Sequence, residues 1–264
     1  MVAVGEGDGI GVGVTRTTIY DTGYYERLLS VPRERVLCVD VETTGLDPEK
    51  DEILQLAMVD GNGDHLLCTY VHPDHRRRWP KAQEVHGITW AMVKDAPTMD
   101  EVRGKVQSLI DTSELIIGYN ISFDQWMLKA AGVGFGIRST YDVMEDYAQV
   151  WGRWSDRKGD YLWVKLTEAA RRFDIHLDAH DAASDATATV RLFYAMLESD
   201  EFKAVTDAKR MHDEQWCRDN KRRQDNLSRV EKEQKQGEII AGVLIGLIIS
   251  IPILLFAGCV AMFL

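Results

Sequence analysis

Val36-Leu37-Cys38-Val39-Asp40-Val41-Glu42-Thr43-Thr44-Gly45-Leu46 decides the fold of this chain. An apolar run after Arg35, closed by a Thr44–Gly45 turn, predicts a buried strand over Val36–Val41. Asp40 and Glu42 stand two apart, so their side chains leave the strand on one face. A strand end tipping into water would accommodate such a pair. At the exit of a buried strand the two carboxylates are costly unless a cation compensates them.

Working outward, Glu52–Val59 and His65–Val71 read as two further strands, joined by the turn Asp60-Gly61-Asn62-Gly63-Asp64. The domain therefore opens with three antiparallel strands. An irregular stretch with Pro73, Pro80 and Pro97 follows. Met99–Ile110 has helical spacing, with Val102, Val106, Leu109 and Ile110 on one face. Glu114–Gly118 is a fourth strand. Ser122 is expected to cap a helix running to about Ala131, with Gln125 completing a capping box and Gly132 stopping it. Ser139–Tyr141 is a fifth strand, followed by a helix from Asp142, and Leu166–Phe173 and Ala182–Leu197 are further helices. Strands first, then alternation with helices, predicts an α/β fold with a mixed sheet.

The chain has 264 residues, 45% of them hydrophobic and 28% charged, which allows one core-forming domain with extensions. Its formal charge of −11, from 31 basic and 42 acidic residues, argues against wrapping around duplex DNA by net charge alone. A nuclease stays open, because cation-binding carboxylates belong in such a site and basic patches can be local. Arg76, Arg77 and Arg78 form one patch, which reads equally as a solvated loop. Cys38, Cys68, Cys217 and Cys259 have no C-x-x-C spacing, so no zinc or redox motif is indicated. Cys38 and Cys68 fall in strand-like runs and are expected in the core, a usage that fits a reducing compartment.

The two ends differ. Met1–Val14 has no basic residue, so it is no secretory signal, and its glycines do not make G-x-G-x-x-G; residues 1–30 read as a flexible leader. Ile239–Leu264 carries no charge over 26 residues. As a helix it would span about 39 Å, against a hydrocarbon core of about 30 Å. A transmembrane anchor is therefore expected over 238–264, preceded by a polar stalk, helical or partly disordered, over 199–237. Arg218, Lys221, Arg222, Arg223, Arg229, Lys232 and Lys235 before the span favour a single-pass membrane protein with its bulk in the cytoplasm. Gly242 and Gly246 form a G-x-x-x-G pair that could dimerise such helices.

Three more positions matter. Asp124 lies near the start of its helix, where the helix dipole alone would favour a carboxylate. Asn120 just before it could be an ordinary turn residue. Asp185 has Ala182, Thr189, Phe193 and Met196 at helical spacing around it, an unfavourable place for a charge without a partner. His180 precedes that helix, where a histidine is ordinarily a capping or packing residue.

Taken in order, these segments resemble the DEDD superfamily of 3′→5′ exonucleases, in its histidine-containing branch, which includes the proofreading subunit of bacterial DNA polymerase III and oligoribonuclease. The motifs are Val39-Asp40-Val41-Glu42-Thr43-Thr44-Gly45-Leu46, Gly118-Tyr119-Asn120-Ile121-Ser122-Phe123-Asp124 and His180-Asp181-Ala182-Ala183-Ser184-Asp185-Ala186. Val85-His86-Gly87-Ile88-Thr89 resembles a segment common between the first two. The likeness runs over roughly residues 35 to 198, and places an exonuclease domain at 31–198. Tyr119 departs from the histidine of many relatives, and Asp181 from a residue that is often arginine. His180-Asp181 also suggests an HD-type phosphohydrolase, but the further histidine ligands that would need are missing from the sequence.

The resemblance implies a ribonuclease-H-like mixed five-stranded sheet with helices on both faces, to which the C-terminal transmembrane helix is added. It implies that Asp40, Glu42 and Asp185 hold one divalent ion, and that Asp40, helped by Asp124, holds a second. Two ions about 4 Å apart can clamp a scissile phosphate. Mg2+ suits an all-oxygen site, with Mn2+ as substitute. His180 would take the proton from the attacking water, a task that suits a side chain titrating near neutrality. Thr43, Gly45, Leu46, Asn120 and Phe123 would bind the substrate, with Leu46 against the terminal base. Partners would be the 3′ ends of single-stranded DNA or RNA. Trp90, Trp151 and Trp154 could stack bases, although tryptophans mostly pack. Two other readings compete: a catalytically idle nucleic-acid-binding or membrane-scaffold protein, and a phosphodiesterase for a small nucleotide or dinucleotide.

Overall fold

The computed structural model describes residues 22–261, with side chains described for 23–236 and 239–240. In chain order the elements are α1 (Thr22–Leu29), β1 (Val36–Thr43), β2 (Ile53–Asp60), β3 (His65–Tyr70), α2 (Pro80–His86), α3 (Trp90–Val93), α4 (Met99–Thr112), β4 (Leu115–Gly118), α5 (Ile121–Ala130), β5 (Ser139–Asp142), α6 (Val143–Trp151), β6 (Trp154–Ser155), β7 (Asp160–Tyr161), α7 (Leu166–Arg172), α8 (Ala182–Glu198) and α9 (Asp200–Ala261). The chain divides into two units, Met1–Lys209 and Arg210–Leu264.

In the first unit five strands form one sheet in the order β3-β2-β1-β4-β5. β1 pairs antiparallel with β2 and parallel with β4, so the sheet is mixed and its central strand carries Asp40 and Glu42. Both faces of β1 are covered. Val36 and Cys38 pack with Ala57, Val59 and residues of α1, α6, α7 and α8. Leu37, Val39 and Val41 pack with Leu56, Met58 and residues of α4 and α5. This is the expected ribonuclease-H-like α/β arrangement, and the two-residue alternation along β1 puts Asp40 and Glu42 on the α8 face. On α8, Ala182 and Ala186 are fully buried. Their small side chains let the helix backbone lie close to the sheet, which brings Asp185 between them towards the strand.

Several expectations change. Residues 22–29, read as leader, form α1, whose Tyr25 and Leu28 are buried in the core; residues 1–21 lie outside the described residues. Cys68 is exposed rather than core, because β3 is an edge strand with a solvent-facing side. Ser122 does not cap α5. The helix starts at Ile121, Asn120 occupies the cap in a left-handed conformation at φ 69°, and Ser122 is exposed.

The membrane anchor is also overturned. Among the described residues no helix is long and apolar enough to cross a membrane. The stretch expected to be stalk and then anchor belongs to α9, a single 62-residue helix. Its first turns belong to the domain, with Phe202 and Thr206 buried, and residues 221–236 are exposed and densely charged. An uncharged run counted in isolation suggested an anchor, whereas the described part of the helix containing it is polar. The transmembrane helix and the cytoplasmic orientation built on it fall together. Gly242 and Gly246 lie outside the residues whose side chains are described.

Candidate active site

The β1–β4 ladder ends at Cys38 and Ile117. Beyond it the Val41 N–H has no strand partner on the β4 side and would be left unsatisfied. Asp124, 3% exposed in the first turn of α5, fills that place: Val41 N–H donates to its Oδ1 at 2.9 Å. Asp124 is thus held at the mouth of the strand that bears the other two acids. Asn120 in turn is fixed by Asp142 at the end of β5, whose Oδ1 accepts from the N–H groups of Asn120 and Met144, each at 3.0 Å.

The third motif arrives from α8. Asp181 caps that helix, its Oδ2 accepting from Ser184 N–H at 3.1 Å. His180 is left-handed at φ 69°, a conformation costly for a residue with a Cβ, and its N–H donates to Asp185 Oδ2 at 3.2 Å. This turn points Asp185 at Glu42. The ligand atoms of Glu42, His180 and Asp185 all lie within 4.8 Å of one another. Asp185 Oδ1 is buried without a hydrogen-bond partner, although its other oxygen is bonded. A buried acceptor left open among carboxylates fits a cation, since nothing else there would satisfy it.

The electrostatics agree. Burial first, then the charges of Asp124, Asp185, Glu42 and Asp181, push Asp40 well above the usual carboxylate range. Burial, then Asp185 and Asp181, raise Glu42 to about 8. Burial raises Asp185 to about 6, against the hydrogen bond from His180. Asp124 is likewise raised by burial, opposed by its bond from Val41. Carboxylates raised together by their own proximity form a site that takes up positive charge, as protons or as a metal.

A cavity of about 1030 Å³ opens beside these acids. Thr43, Gly45, Leu46 and Phe123 line it, together with Lys81 and Val85. Leu46 is 66% exposed, so it is no core residue. The Thr43 hydroxyl donates to Gly45 O at 2.5 Å, and a Cβ at Gly45 would have to displace the Asp51 carboxylate. Asp51 also pairs with Arg76 at 3.2 Å. Of the expected substrate residues, Asn120 is the one that does not line this cavity. Trp90 and Trp151 are packing residues: Trp90 lies against Trp79 with Arg77 over its ring, and Trp151 against Tyr147, Phe173 and Phe202.

Two further residues stand beside these acids, His86 from the segment between the first two motifs and Gln55 from β2. His86 lines the cavity, with Nε2 3.2 Å from Thr43 O and Nδ1 accepting from Ile88 N–H at 3.0 Å. Both nitrogens are therefore committed to a neutral ring, and burial lowers its pKa. Gln55 faces Glu42 across β1 and β2. Its Nε2 donates to Asp181 Oδ1 at 2.7 Å, and its Oε1 accepts from Ala182 N–H at 3.4 Å. A glutamine in the middle of a fully buried strand whose other residues before Asp60 are apolar is the signal that could have identified it.

A ribonuclease-H-like sheet with four acids gathered at the end of its central strand defines a class of nucleases. Residues 37–193 match the RNase_T exonuclease family, and the chain belongs to it, as a DEDD-type 3′–5′ exonuclease. "Uncharacterized exonuclease CP81" of Escherichia phage 186 is 29% identical over 169 residues, 60% of this chain and 86% of that protein. The PolC-type DNA polymerase III of Clostridium perfringens (strain 13 / Type A) is 30% identical over 157 residues, 58% of this chain but 10% of the polymerase. Among solved structures, a zinc-bound E. coli exonuclease I complex with single-stranded DNA shares the fold, with TM-score 0.52 and 19% identity over 64% of this chain and 42% of that one.

Proposed function

We propose that this exonuclease removes nucleoside monophosphates from the 3′ ends of single-stranded DNA or RNA, using Mg2+, with Mn2+ as substitute. The observation that carries the reading is the open, buried Asp185 Oδ1 beside Glu42 and His180, with Asp40 and Asp124 at the same strand end.

Asp40, Glu42, Asp124 and Asp185 would hold the ions. Bound divalent cations supply Lewis acidity at the phosphate and ease deprotonation of water. His180 is the general base. It is exposed, so it can take the proton of the attacking water and pass it to solvent. The new bond joins the water oxygen to phosphorus; the bond between phosphorus and the 3′ oxygen of the preceding nucleotide breaks, and that oxygen takes up a proton. Gln55 and Asp181 are positioning residues that hold the turn carrying His180. Leu46, Val85 and Phe123 offer apolar surface to the terminal base, and Lys81 offers a cation to its phosphate.

The test uses the full chain beside its Asp185→Asn variant, with 5′-labelled single-stranded DNA and RNA in Mg2+, Mn2+ or chelator. The expected result is a ladder shortening from the 3′ end, dependent on metal and lost in the variant. A folded, metal-binding chain that shortens neither polymer, or a variant that keeps full activity, would overturn the reading.

A further inference from the structure

Between α6 and α7 the chain makes a small hairpin, β6 paired antiparallel with β7. It is built to stand as a unit. Gly159 turns it at φ 59°, Leu162 N–H donates to Arg153 O at 2.8 Å, and a Cβ at Gly152 would collide with Ala148 O and Leu162 O. Hairpins without a core of their own ordinarily show polar side chains. This one and its exit show Trp154, 55% exposed, and Trp163, 63% exposed. The Trp154 ring is held rather than loose: it stands T-shaped on Tyr161 at 5.3 Å, and its Nε1–H donates to Asp156 at 2.9 Å.

Cations interleave with these rings. Arg153, Arg157, Lys158 and Lys165 are exposed, and none is in an ion pair among the described residues. Against Asp156 and Asp160 they leave the segment 153–165 positive, within a chain of net charge −11. The segment is also tied to the acidic site. The Tyr119 hydroxyl donates to Val164 O at 2.6 Å, and Tyr119 adjoins Asn120, the cap of the helix that carries Asp124.

We propose that the β6–β7 hairpin is a docking platform for single-stranded nucleic acid, on which bases upstream of the bound 3′ end stack against Trp154 and Trp163 while the basic side chains meet the phosphates. The proposal rests on the exonuclease reading for the direction of the strand. Exposed rings, that of Trp154 held in place, fringed by unpaired cations match unstacked bases, whose faces are free, better than a duplex, whose faces are not.

Binding is measured on the full chain in chelator, where no turnover occurs, by anisotropy of 5′-fluorescein-labelled oligo(dT) about 20 nucleotides in length, longer than a stacking groove of roughly 4–16 nucleotides. Trp154→Ala/Trp163→Ala is expected to weaken binding roughly 10²-fold, since each lost stack costs about tenfold or more. Trp154→Phe/Trp163→Phe should retain most of it. Arg157→Ala/Lys158→Ala should lower the slope of log affinity against log salt by about 1.4, at about 0.7 per phosphate contact. Absent wild-type binding, equal affinity in the alanine variant, or equal competition by a blunt duplex overturns the platform. If the alanine variant does not fold, an unchanged salt slope in the arginine–lysine variant overturns it. Binding as expected, with no shortening when Mg2+ is added, leaves the platform standing and removes the exonuclease reading instead.

Discussion

Two places in this domain bury carboxylates, and they solve the problem differently. Asp146 on α6 is 2% exposed, and its Oδ2 accepts from the Tyr25 hydroxyl of α1 at 2.7 Å. The Tyr141 hydroxyl lies close enough to weigh on its charge, though short of hydrogen-bond geometry. One acid, neutral donors around it and an aromatic shell make a clasp between helix and core. At the end of β1, by contrast, Asp40, Glu42, Asp124 and Asp185 face one another, and further acids, Asp181 and Asp142, add to their repulsion. The first arrangement also leaves an oxygen, Asp146 Oδ1, buried without a hydrogen-bond partner, but it buries one acid beside tyrosines rather than four acids facing one another. The second gathers acids whose mutual repulsion positive charge would relieve, which makes it the candidate site; burial and an open oxygen, common to both, do not distinguish them.

The sharpest way to break this comparison is to neutralise one acid at the site. Asp185→Asn should bring metal-dependent digestion below detection. It should also raise the stability of the chelated protein, because it removes a charge held at about 6 by burial and like neighbours. At pH 8 the gain is on the order of 1–3 kcal/mol. The sign follows from the raised values: the folded chain binds protons that the unfolded chain has released, so chelated stability falls as pH rises towards 8. Thermal melts with and without Mg2+ check both halves. A variant that is less stable in chelator would mean that the bond from His180 N–H to the Asp185 carboxylate outweighs the cost of its burial. The trade of stability for function is general at such sites.

His180 tests how the site divides its labour. As general base, its replacement by alanine should reduce kcat roughly 10²–10⁴-fold while the rise in melting temperature with Mg2+ persists. The structure also places its ring within reach of Glu42 and Asp185 as a ligand. Loss of the Mg2+-dependent stabilisation in His180→Ala would move it from base to ligand, and a rate loss under threefold would remove it from both roles.

Legibility in the sequence followed the physics of each feature. The five strands and the helices that carry the motifs were readable because apolar spacing reports burial directly. The placement of Asp40, Glu42 and Asp185 followed from that spacing, since a charge on an apolar face advertises itself. What failed depends on contacts remote in sequence. Tyr25 is buried by Phe202 and Tyr141, neither predictable from residues 22–29, so that stretch reads as leader in the sequence alone. Cys68 sits in a strand-like run, but edge position is a property of the sheet, not of the strand. The uncharged run after residue 238 was weighed without the charged helix that precedes it. Asn120 reads as a turn residue, yet its cap position depends on Asp142, 22 residues on.

Asp146 supplies the opposite test from the site acids, a pH dependence that metal should not alter. Burial raises it from 3.8 to about 6, against the bond from Tyr25. Between those values the folded protein keeps a proton that the unfolded chain has lost. The stability this acid allows is therefore present below pH 4 and falls as pH rises through 6. By linkage the cost at pH 7 is about 3 kcal/mol, most of it incurred between pH 4 and 7. Asp146→Asn should abolish that component, so urea titrations of variant and wild type should diverge as pH rises, equally with and without Mg2+. A divergence that Mg2+ removes would tie Asp146 to the site.

Gln55 lies between the two kinds of place, buried like Asp146 yet bonded to the site. Its amide bridges the strand that bears Glu42 and the turn that bears His180, through Asp181 Oδ1 and Ala182 N–H. Gln55→Leu keeps the volume and removes both bonds. Asp181 then loses a donor and the start of α8 loses its fixed distance from β1. Groups that orient a ligand shell typically cost 10–100-fold in metal affinity or activity when removed. The Mg2+ concentration for half-maximal activity should rise by that factor, with kcat at saturating metal falling less. A change in kcat alone would mean that Gln55 aims His180 rather than the acids. No change in either would show that α8 is held in place by Ala182 and Ala186 packing on the sheet, and that the site tolerates a looser turn than its hydrogen bonds suggest.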